Sequence, residues 1–382
     1  MIIPYNRQFI DNEDIKIVTK SLKDDLITTG KYNHKFEEKI VKKLKCKFAS
    51  VVNSGTAALH LSFLSIGIKK NDTIIMPSIN FIASFNLCQS MGANIYFADV
   101  DKMTGQMTPQ TLVECIKKNK LKKIKAVITM YLGGSPNNVI GFFKLKKNYN
   151  FFLIEDACHA LGSKYFVDNK KFFIGSSRHS DICIFSLHAI KTITTGEGGI
   201  VCTNNKTLFE KVKSLKSHGI FRNLKKKHWT YDVVRNGLNY RLSDISCALG
   251  LSQLSKIDKF LKRRVELAKN YFNLLKNKNL ISFAPFNSLS AYHLFIISID
   301  FSKLKKNKDF LLEYLKKNNI LAQFHYIPNY KFSVYKKKKI SLINTEYYFE
   351  NSFSIPLYYK LKFNEQKYII EKIAIFMKKY KK

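Results

Sequence analysis

The hydrophobic positions in the first two-thirds of the chain follow two alternating spacings. Residues 35–45 carry apolar side chains at helical spacing, at Phe36, Ile40, Val41 and Leu44. Short apolar runs predict seven buried strands, at Phe48–Val52, Thr73–Met76, Asn94–Phe97, Ala126–Met130, Phe151–Ile154, Ile182–Phe185 and Ile200–Thr203. Helices that alternate with buried strands predict an α/β fold whose mainly parallel sheet is covered on both faces.

The pattern changes near residue 250. The later elements are predicted as a long helix through Leu251–Leu275, strands around Tyr292–Ile299, a helix near Phe310–Lys317 and a final helix over Asn364–Met377. We therefore predict a large domain with an N-terminal arm at residues 1–254 and a smaller C-terminal α+β domain at 255–382. No low-complexity linker separates them, so we expect the two parts to pack tightly.

The chain is strongly basic, with a formal net charge of +37 over 382 residues. Such a charge is typical of proteins that bind phosphates or nucleic acids. The lysines are dispersed, however, with short runs at 225–227, 336–339 and 378–382, and no nucleic-acid-binding motif accompanies them. Because the chain is also rich in Asn and Ile, we favour a compositional bias, and a surface that attracts an anionic small substrate is the second interpretation.

The cysteines and the N-terminus indicate a cytoplasmic protein. Seven cysteines are scattered through mostly apolar segments, without the spacing of a disulfide framework or a metal site. The first residues lack the basic and apolar segments of a signal peptide. No apolar run approaches the roughly 20 residues of a membrane span. We expect reduced thiols, no metal and no membrane.

The first stretch with candidate chemistry is Asn53–His60, directly after a predicted strand. Small residues at a strand-to-helix turn expose backbone N–H groups, and the helix N-terminus favours an anion. Ser54 and Thr56 supply hydroxyls at this turn. On its own, the pattern is more often that of a capped helix.

A carboxylate follows the predicted strand Phe151–Ile154, at Asp156. A carboxylate at the end of a buried strand is unfavourable unless a cation pairs with it. The ring nitrogen of pyridoxal 5′-phosphate (PLP) is such a cation when protonated. His159 could then hydrogen-bond the ring oxygen or orient Asp156, and a carboxylate that caps a helix is the alternative.

A lone lysine, Lys191, lies within the segment Phe185–Gly199, where an apolar run is followed by hydroxylated and glycine residues. A lysine that forms a Schiff base needs such a setting, because its amine must be desolvated and closely approached by a flat cofactor. Ser186 can bind phosphate. The order of phosphate turn, carboxylate and lysine predicts a PLP site, and the glycine motifs of dinucleotide and P-loop proteins are absent from the sequence.

The chain resembles the DegT/DnrJ/EryC1/StrS family of sugar-nucleotide aminotransferases, from Pro4 to about Ile375. The stretches that carry the resemblance are Asn53–His60, Glu155–Gly162, Phe185–Gly199 and Gly237–Asp244. The resemblance implies a PLP-dependent fold-type I architecture, similar to aspartate aminotransferase. Leu187 departs from the family pattern, which usually has an aromatic residue before the histidine, and this puts local packing in doubt.

The resemblance also implies roles for individual residues. Lys191 would bind the cofactor covalently and move protons, Asp156 would hold the ring nitrogen, and His159 would lie at the ring oxygen. Phe81 would stack on the ring. The phosphate contacts would be Gly55, Thr56, Ser186 and, from a neighbouring subunit, Asn239. His325 and Tyr326 are candidate nucleotide-sugar contacts, and a homodimer with shared active sites is implied.

The narrower likeness of four segments indicates the substrate. These are His159–Tyr165, Lys216–Gly219, Cys247–Leu254 and Ile320–Tyr330. They are similar to family members that transfer an amino group from L-glutamate to C4 of a UDP-4-keto-6-deoxy-N-acetylhexosamine for pseudaminic acid. Amination at C3, or a bacillosamine- or perosamine-type C4 reaction, remains open. Lys191 disfavours the dehydratase branch, in which histidine replaces this lysine, and a basic nucleic-acid-binding or regulatory protein is the alternative from another class.

Overall fold

The computed structural model describes residues 2–222, 227, 229–276, 278–335 and 340–382. The strands in these residues are β1 (Phe48–Val52), β2 (Thr73–Pro77), β3 (Asn94–Ala98), β4 (Ala126–Met130), β5 (Phe152–Asp156), β6 (Lys164–Val167), β7 (Lys170–Phe173), β8 (Ile182–Ser186), β9 (Gly199–Thr203), β10 (Ile220–Phe221), β11 (Asp232–Val233), β12 (Ile281–Ser282), β13 (Phe295–Ile299) and β14 (Ser352–Ile355). The helices are α1 (Asn12–Ser21), α2 (Lys31–Leu44), α3 (Gly55–Ser65), α4 (Ile82–Ser90), α5 (Pro109–Lys118), α6 (Val139–Tyr149), α7 (Lys206–Leu215), α8 (Asp244–Ser255), α9 (Ile257–Leu275), α10 (Lys308–Lys317), α11 (Ile343–Asn351) and α12 (Phe363–Lys379).

Seven of these strands form the central sheet, in the order β1-β9-β8-β5-β4-β2-β3. The strands pair in parallel from β8 through β5, β4 and β2 to β3, whereas β9 runs antiparallel to both of its neighbours. This confirms the predicted α/β fold with a mainly parallel sheet. The carboxyl ends of the parallel strands therefore meet at one edge, which is where open sheets of this kind bind ligands.

Both faces of the sheet are buried. Along β5, the side chain of Leu153 packs in one apolar cluster and that of Ile154 in another, as the alternation of a strand requires. Burying each such side chain stabilises the fold by roughly 1.5–3 kcal/mol. Helices α2 and α8 pack against each other over the β1 and β9 end of the sheet. The sheet is thereby held rigidly beneath the loops that follow its strands.

The C-terminal part has a smaller, three-stranded sheet in the order β12-β13-β14. Its apolar cluster draws on α9, α10 and α12 and also includes Ile3 from the N-terminal arm. Backbone hydrogen bonds join Ile3 to Asn319 and Leu321. The arm thus packs on the C-terminal part of the chain, and the domain boundary near residue 255 stays a prediction.

The predicted elements agree with the structure to within a few residues, with two differences. The strand expected from Tyr292 begins at Phe295, and the long helix expected through Leu251–Leu275 is two helices, α8 and α9. Lys256 separates these helices, because its backbone (φ −99°, ψ 0°) leaves the helical region. Of the lysine runs noted in the sequence, Lys225, Lys226 and the run 336–339 lie outside the described residues.

Two further features bear on the sequence predictions. Across the described part of the chain, no helix is both long enough and apolar enough to cross a bilayer. All seven cysteines are free thiols, and six of them are buried.

Candidate active site

A cavity of about 560 Å³ lies at the carboxyl ends of β5 and β8. This volume falls in the range of small-molecule sites. Nine of the predicted site residues line it together, namely Gly55, Thr56, Phe81, Asp156, His159, Ser186, Lys191, His325 and Tyr326. Residues separated by up to 271 positions, from Gly55 to Tyr326, thus converge on one cavity, as expected from the sequence.

The turn between β1 and α3 forms one wall of the cavity. Ser54 caps α3, and its hydroxyl accepts a hydrogen bond from the backbone N–H of Ala57. Gly55 and Thr56 follow as the first residues of the helix, beside Ser186 at the end of β8. A Cβ atom at Gly55 would lie only 3.0 Å from Cβ of Ser186. The small residues therefore keep the backbone of this turn open to an anion.

Asp156 is the last residue of β5 and is buried. Its Oδ1 accepts a hydrogen bond of 3.1 Å from the backbone N–H of Cys158. Burial raises the pKa of the Asp156 carboxyl, while Cys158 and the nearby Lys191 act in the opposite direction. A cation placed against this carboxylate would stabilise its ionised form.

Lys191 lies in the irregular loop between β8 and β9, and its backbone N–H donates to the carbonyl of His188. Its side chain lines the cavity, where burial lowers the pKa of the amine and the neighbouring Cys158 and Asp156 oppose that shift. A lowered pKa increases the neutral fraction of the amine, which is the form that acts as a nucleophile or a base.

His159 is buried between two hydrogen-bonding partners. The backbone N–H of Gly133 donates to its Nδ1 at 3.3 Å, and the hydroxyl of Tyr326 lies 3.1 Å from its Nε2. Burial, with Lys191 and His325 nearby, holds the pKa of His159 well below its ordinary value. A neutral imidazole that accepts at Nδ1 carries its proton at Nε2 and donates it to Tyr326. The hydroxyl proton of Tyr326 is then free for a ligand.

Phe81 and His325 occupy other walls of the same cavity. Phe81 precedes α4 and is half exposed, and its ring centroid lies 5.7 Å from that of Tyr326. His325 is buried, with Nδ1 at 2.9 Å from the hydroxyl of Ser354 on β14. An exposed aromatic face at the cavity is available to stack on a flat ring.

Asn239 is the one predicted site residue that the structure does not bring to the cavity. It is exposed, and its carbonyl accepts from the Asn53 side chain at 3.4 Å, next to the phosphate turn. Its predicted role, a contact with the phosphate bound by a neighbouring subunit, stays a prediction.

Several further residues line the cavity without having been predicted as site residues, and Tyr5, Cys158 and His293 are among them. Tyr5 belongs to the N-terminal arm, and His293 precedes β13. Only Cys158 carried a signal that could have found it, because it lies between Asp156 and His159. The other two have no local pattern that distinguishes them from core residues.

The residues present fit PLP. A buried carboxylate, Asp156, faces the cavity and would hold a protonated ring nitrogen. The open turn at Gly55 would hold the phosphate. Only glycine fits beside it at position 199, because a Cβ there would lie 2.3 Å from the carbonyl oxygen of Ser54. The amine of Lys191 lies in the same cavity. Among the described residues, no group of three or more His, Cys, Asp and Glu side chains is placed to hold a metal ion.

Comparison with known proteins agrees with this geometry. Residues 8–374 match the DegT/DnrJ/EryC1/StrS aminotransferase family. The chain belongs to this family. It is 37% identical to the UDP-4-amino-4,6-dideoxy-N-acetyl-β-L-altrosamine transaminase of Campylobacter jejuni strain 81-176, with 100% of this chain and 99% of the relative covered. The enzyme of the same name from C. jejuni strain NCTC 11168 is 36% identical, with the same coverage.

Solved structures share the fold. PseC of Helicobacter pylori, an aminotransferase involved in the biosynthesis of pseudaminic acid, superposes with a TM-score of 0.89 at 31% identity and full coverage of both chains. A Streptococcus pneumoniae protein in its PLP form superposes with a TM-score of 0.88 at 25% identity, with 99% of both chains covered. The protein is therefore an aminotransferase of the fold that the sequence predicted.

Proposed function

We propose that the protein transfers an amino group from L-glutamate to C4 of a UDP-4-keto-6-deoxy-N-acetylhexosamine, with PLP as its cofactor. The product is UDP-4-amino-4,6-dideoxy-N-acetyl-β-L-altrosamine, a precursor of pseudaminic acid. The observation that carries this proposal is the meeting of Lys191, Asp156 and His159 at one cavity, in a chain 37% identical to the C. jejuni transaminase of that product.

In this proposal, three groups of residues would hold the cofactor. The phosphate would be held by the backbone of Gly55 and Thr56 and the hydroxyl of Ser186, at the N-terminus of α3. Asp156 would hold the ring nitrogen, and Phe81 would cover one ring face. When bound, PLP supplies an electron-accepting ring that stabilises negative charge on the carbon from which a proton is removed.

Lys191 would act as the base and acid of both half-reactions. Burial lowers the pKa of its amine, so at neutral pH a larger fraction of the amine is able to accept a proton. It would take the proton from Cα of glutamate in the first half-reaction. In the second half-reaction it would deliver a proton to C4 of the sugar. His159 would keep its Nε2 proton directed at Tyr326 or at the ring oxygen, because the Gly133 N–H occupies Nδ1.

We also propose a cytoplasmic homodimer whose active sites are shared. Apolar side chains are exposed on the paired strands β10 and β11 and in the segment that leads to Asn239, at Phe221, Tyr231, Val233 and Leu238, and exposed apolar groups of this kind are typical of a protein interface. Free thiols throughout the chain fit a reducing compartment. Light scattering of the purified protein at the mass of a 44.3 kDa monomer would contradict the dimer.

The test of the function separates the two half-reactions by the visible spectrum of the cofactor. The purified holoenzyme is converted to its pyridoxamine form with L-glutamate, and UDP-4-keto-6-deoxy-N-acetylhexosamines of both C5 configurations are then added. We expect the spectrum of the PLP form to return with the L-arabino epimer alone. Return with the D-xylo epimer alone would instead indicate a bacillosamine-type enzyme.

Two further outcomes concern the cofactor and the position of the new amine. If glutamate bleaches the spectrum but neither sugar restores it, the cofactor stands and the sugar substrate is wrong. If a sugar does restore the spectrum, NMR of the product distinguishes C4 from C3 amination. An amine on C3 would contradict the proposal.

A further inference from the structure

His293 is a buried histidine whose Nδ1 has no hydrogen-bond partner among the described residues. Its ring lines the cavity and packs on His159, with 4.3 Å between the ring centroids. Buried polar atoms are nearly always paired, because an unpaired one loses the free energy of its hydrogen bond to water. Because the His293 ring forms part of the cavity wall, a ligand bound in the cavity is a candidate for the missing partner.

Behind His293 lies a buried cation, Arg264 on α9. Its guanidinium donates to the carbonyl oxygens of Tyr292, His293 and Leu357 at 3.2–3.4 Å and to the Asn6 side chain at 3.3 Å. None of these acceptors is a carboxylate. Burial lowers the pKa of Arg264 to about 10, so it remains charged at neutral pH. None of its hydrogen-bonding partners neutralises its positive charge. The electrostatic potential of Arg264 therefore favours an anion at the His293 end of the cavity.

The two substrates of the proposed reaction differ in charge close to the reacting carbon. The keto sugar is neutral there, because its charges are on the diphosphate, whereas an amino acid has a carboxylate one bond from Cα. The two substrates occupy the same cavity in turn, so a contact for that carboxylate must lie near Lys191. No arginine is among the described residues that line the cavity.

The two other imidazoles in this part of the cavity already have partners at three of their four ring nitrogens. Both ring nitrogens of His159 are engaged, by Gly133 and Tyr326, and Nδ1 of His325 is engaged by Ser354. His293 lies close enough to Lys191 for that amine to help lower the pKa of its imidazole, after burial and His159. It is therefore a neutral imidazole near Lys191 that still has a ring nitrogen without a partner.

We propose that His293 binds the carboxylate of the amino donor next to Cα, and that the buried charge of Arg264 favours the anion there. This inference rests on the proposed function, of which it names the donor subsite. A neutral N–H donor with a buried cation behind it can bind a carboxylate even though no arginine side chain lines the cavity to bind it with two parallel hydrogen bonds. The sugar, neutral at the same position, gains nothing from the charge, so His293 discriminates between the two substrates.

The test measures binding without turnover. Glutarate, which is glutamate without its amino group, is titrated into the holoenzyme by calorimetry, and UDP is titrated separately. His293→Phe keeps the aromatic packing on His159 but has no polar atom. We expect it to weaken glutarate binding by about tenfold or more, the value of a hydrogen bond to a charged group, and to leave UDP binding unchanged. His293→Asn, which keeps a donor near Nδ1, is expected to recover part of the loss.

His179→Leu is the matched control, because this imidazole hydrogen-bonds the Tyr165 hydroxyl away from the cavity. Glutarate binding by His293→Phe equal to that of wild type overturns the inference. If His293→Phe also loses UDP, the smaller His293→Leu replaces it and is judged by the same two outcomes. If wild type aminates the sugar but His293→Phe binds glutarate normally, the subsite is wrong and the proposed function stands. If wild type binds glutarate through His293 but aminates no sugar, the proposed function is wrong and the subsite stands.

Discussion

The hydroxyl of Tyr326 lies 3.1 Å from Nε2 of His159, on the side of the imidazole opposite the backbone N–H of Gly133. An N–H can only donate, so Gly133 fixes Nδ1 of His159 as an acceptor. The proton of the neutral ring is then at Nε2, directed at Tyr326. The tautomer of a residue proposed to lie at the cofactor is thus set by the backbone of another loop.

Tyr326→Phe is expected to slow the half-reaction with L-glutamate by about fivefold, because His159 loses the acceptor of its Nε2 proton, an interaction of about 1 kcal/mol. Single-turnover absorbance measurements would give this rate. Tyr271→Phe is the control, since it removes one buried hydrogen bond, to the carbonyl of Pro356, far from the cavity. A rate equal to that of wild type in Tyr326→Phe would show that the pair has no part in the reaction.

Lys191→Ala is expected to abolish turnover, because the amine is the proposed nucleophile and proton carrier. Borohydride reduction followed by peptide mass spectrometry should find the cofactor attached at Lys191 in wild type and at no residue in the variant. Lys170→Ala, an exposed residue of β7, should behave like wild type. Near-normal amination by Lys191→Ala would rule out the assignment.

Asp156→Asn is expected to reduce the rate by at least about 100-fold, comparable to the loss when one preorganised group that stabilises the charge of a transition state is removed. The amide cannot stabilise a protonated ring nitrogen, although it preserves shape and the hydrogen bond from the Cys158 N–H. The cofactor should therefore remain bound, as measured by its absorbance after gel filtration. An unchanged rate would exclude the proposed role of the carboxylate.

The periodicity of the sequence was sufficient to predict the sheet and most helices, because buried strands and amphipathic helices carry local patterns. Asp156 and Lys191 each follow an apolar run, so the sequence also indicated them as candidate site residues. The partners of His159 carried no such pattern. Gly133 and Tyr326 are 26 and 167 residues away from it, and only the packing of the C-terminal part on the sheet brings them together.

His293 and Arg264 illustrate the same limit more clearly. In the sequence, His293 is one polar residue before an apolar strand, and Arg264 is one of many basic residues on a helix. Burial and the absence of a carboxylate among the acceptors of Arg264 make them informative. Both properties depend on contacts between distant segments, which a single sequence does not reveal.

Gly199→Ala is expected to weaken cofactor binding by about tenfold or more. The new Cβ would lie 2.3 Å from the carbonyl oxygen of Ser54 and would displace the turn that is proposed to hold the phosphate. Gly196→Ala is the control: no atom lies within 4 Å of its Cβ, but its φ of +80° is strained for alanine. The control should therefore lose stability, by about 1–2 kcal/mol, and keep its affinity. Equal affinity in wild type and Gly199→Ala, by fluorescence titration with PLP, would contradict the proposed phosphate site.

The buried amine of Lys191 also predicts how the stability of the cofactor-free protein depends on pH. Burial lowers the pKa of this amine from its ordinary value of 10.5, so between the folded-state pKa and pH 10.5 the unfolded chain binds the extra proton. The free energy of unfolding therefore rises with pH in that window, relative to a protein without the amine. Below the window the charged amine in the folded state lowers the stability, because its ionised form is poorly solvated there.

Lys191→Met removes this dependence while keeping a side chain of similar length. We would measure the free energy of unfolding of the cofactor-free proteins in urea. We expect Lys191→Met to have the higher value, with the largest difference from wild type at neutral pH. The difference should shrink as the pH approaches 10.5, because the wild-type amine then becomes neutral in both states. Every other titrating group is common to both proteins, so the difference isolates Lys191. A difference that stays constant, or that widens with rising pH, would mean that the amine is solvated and not held for chemistry.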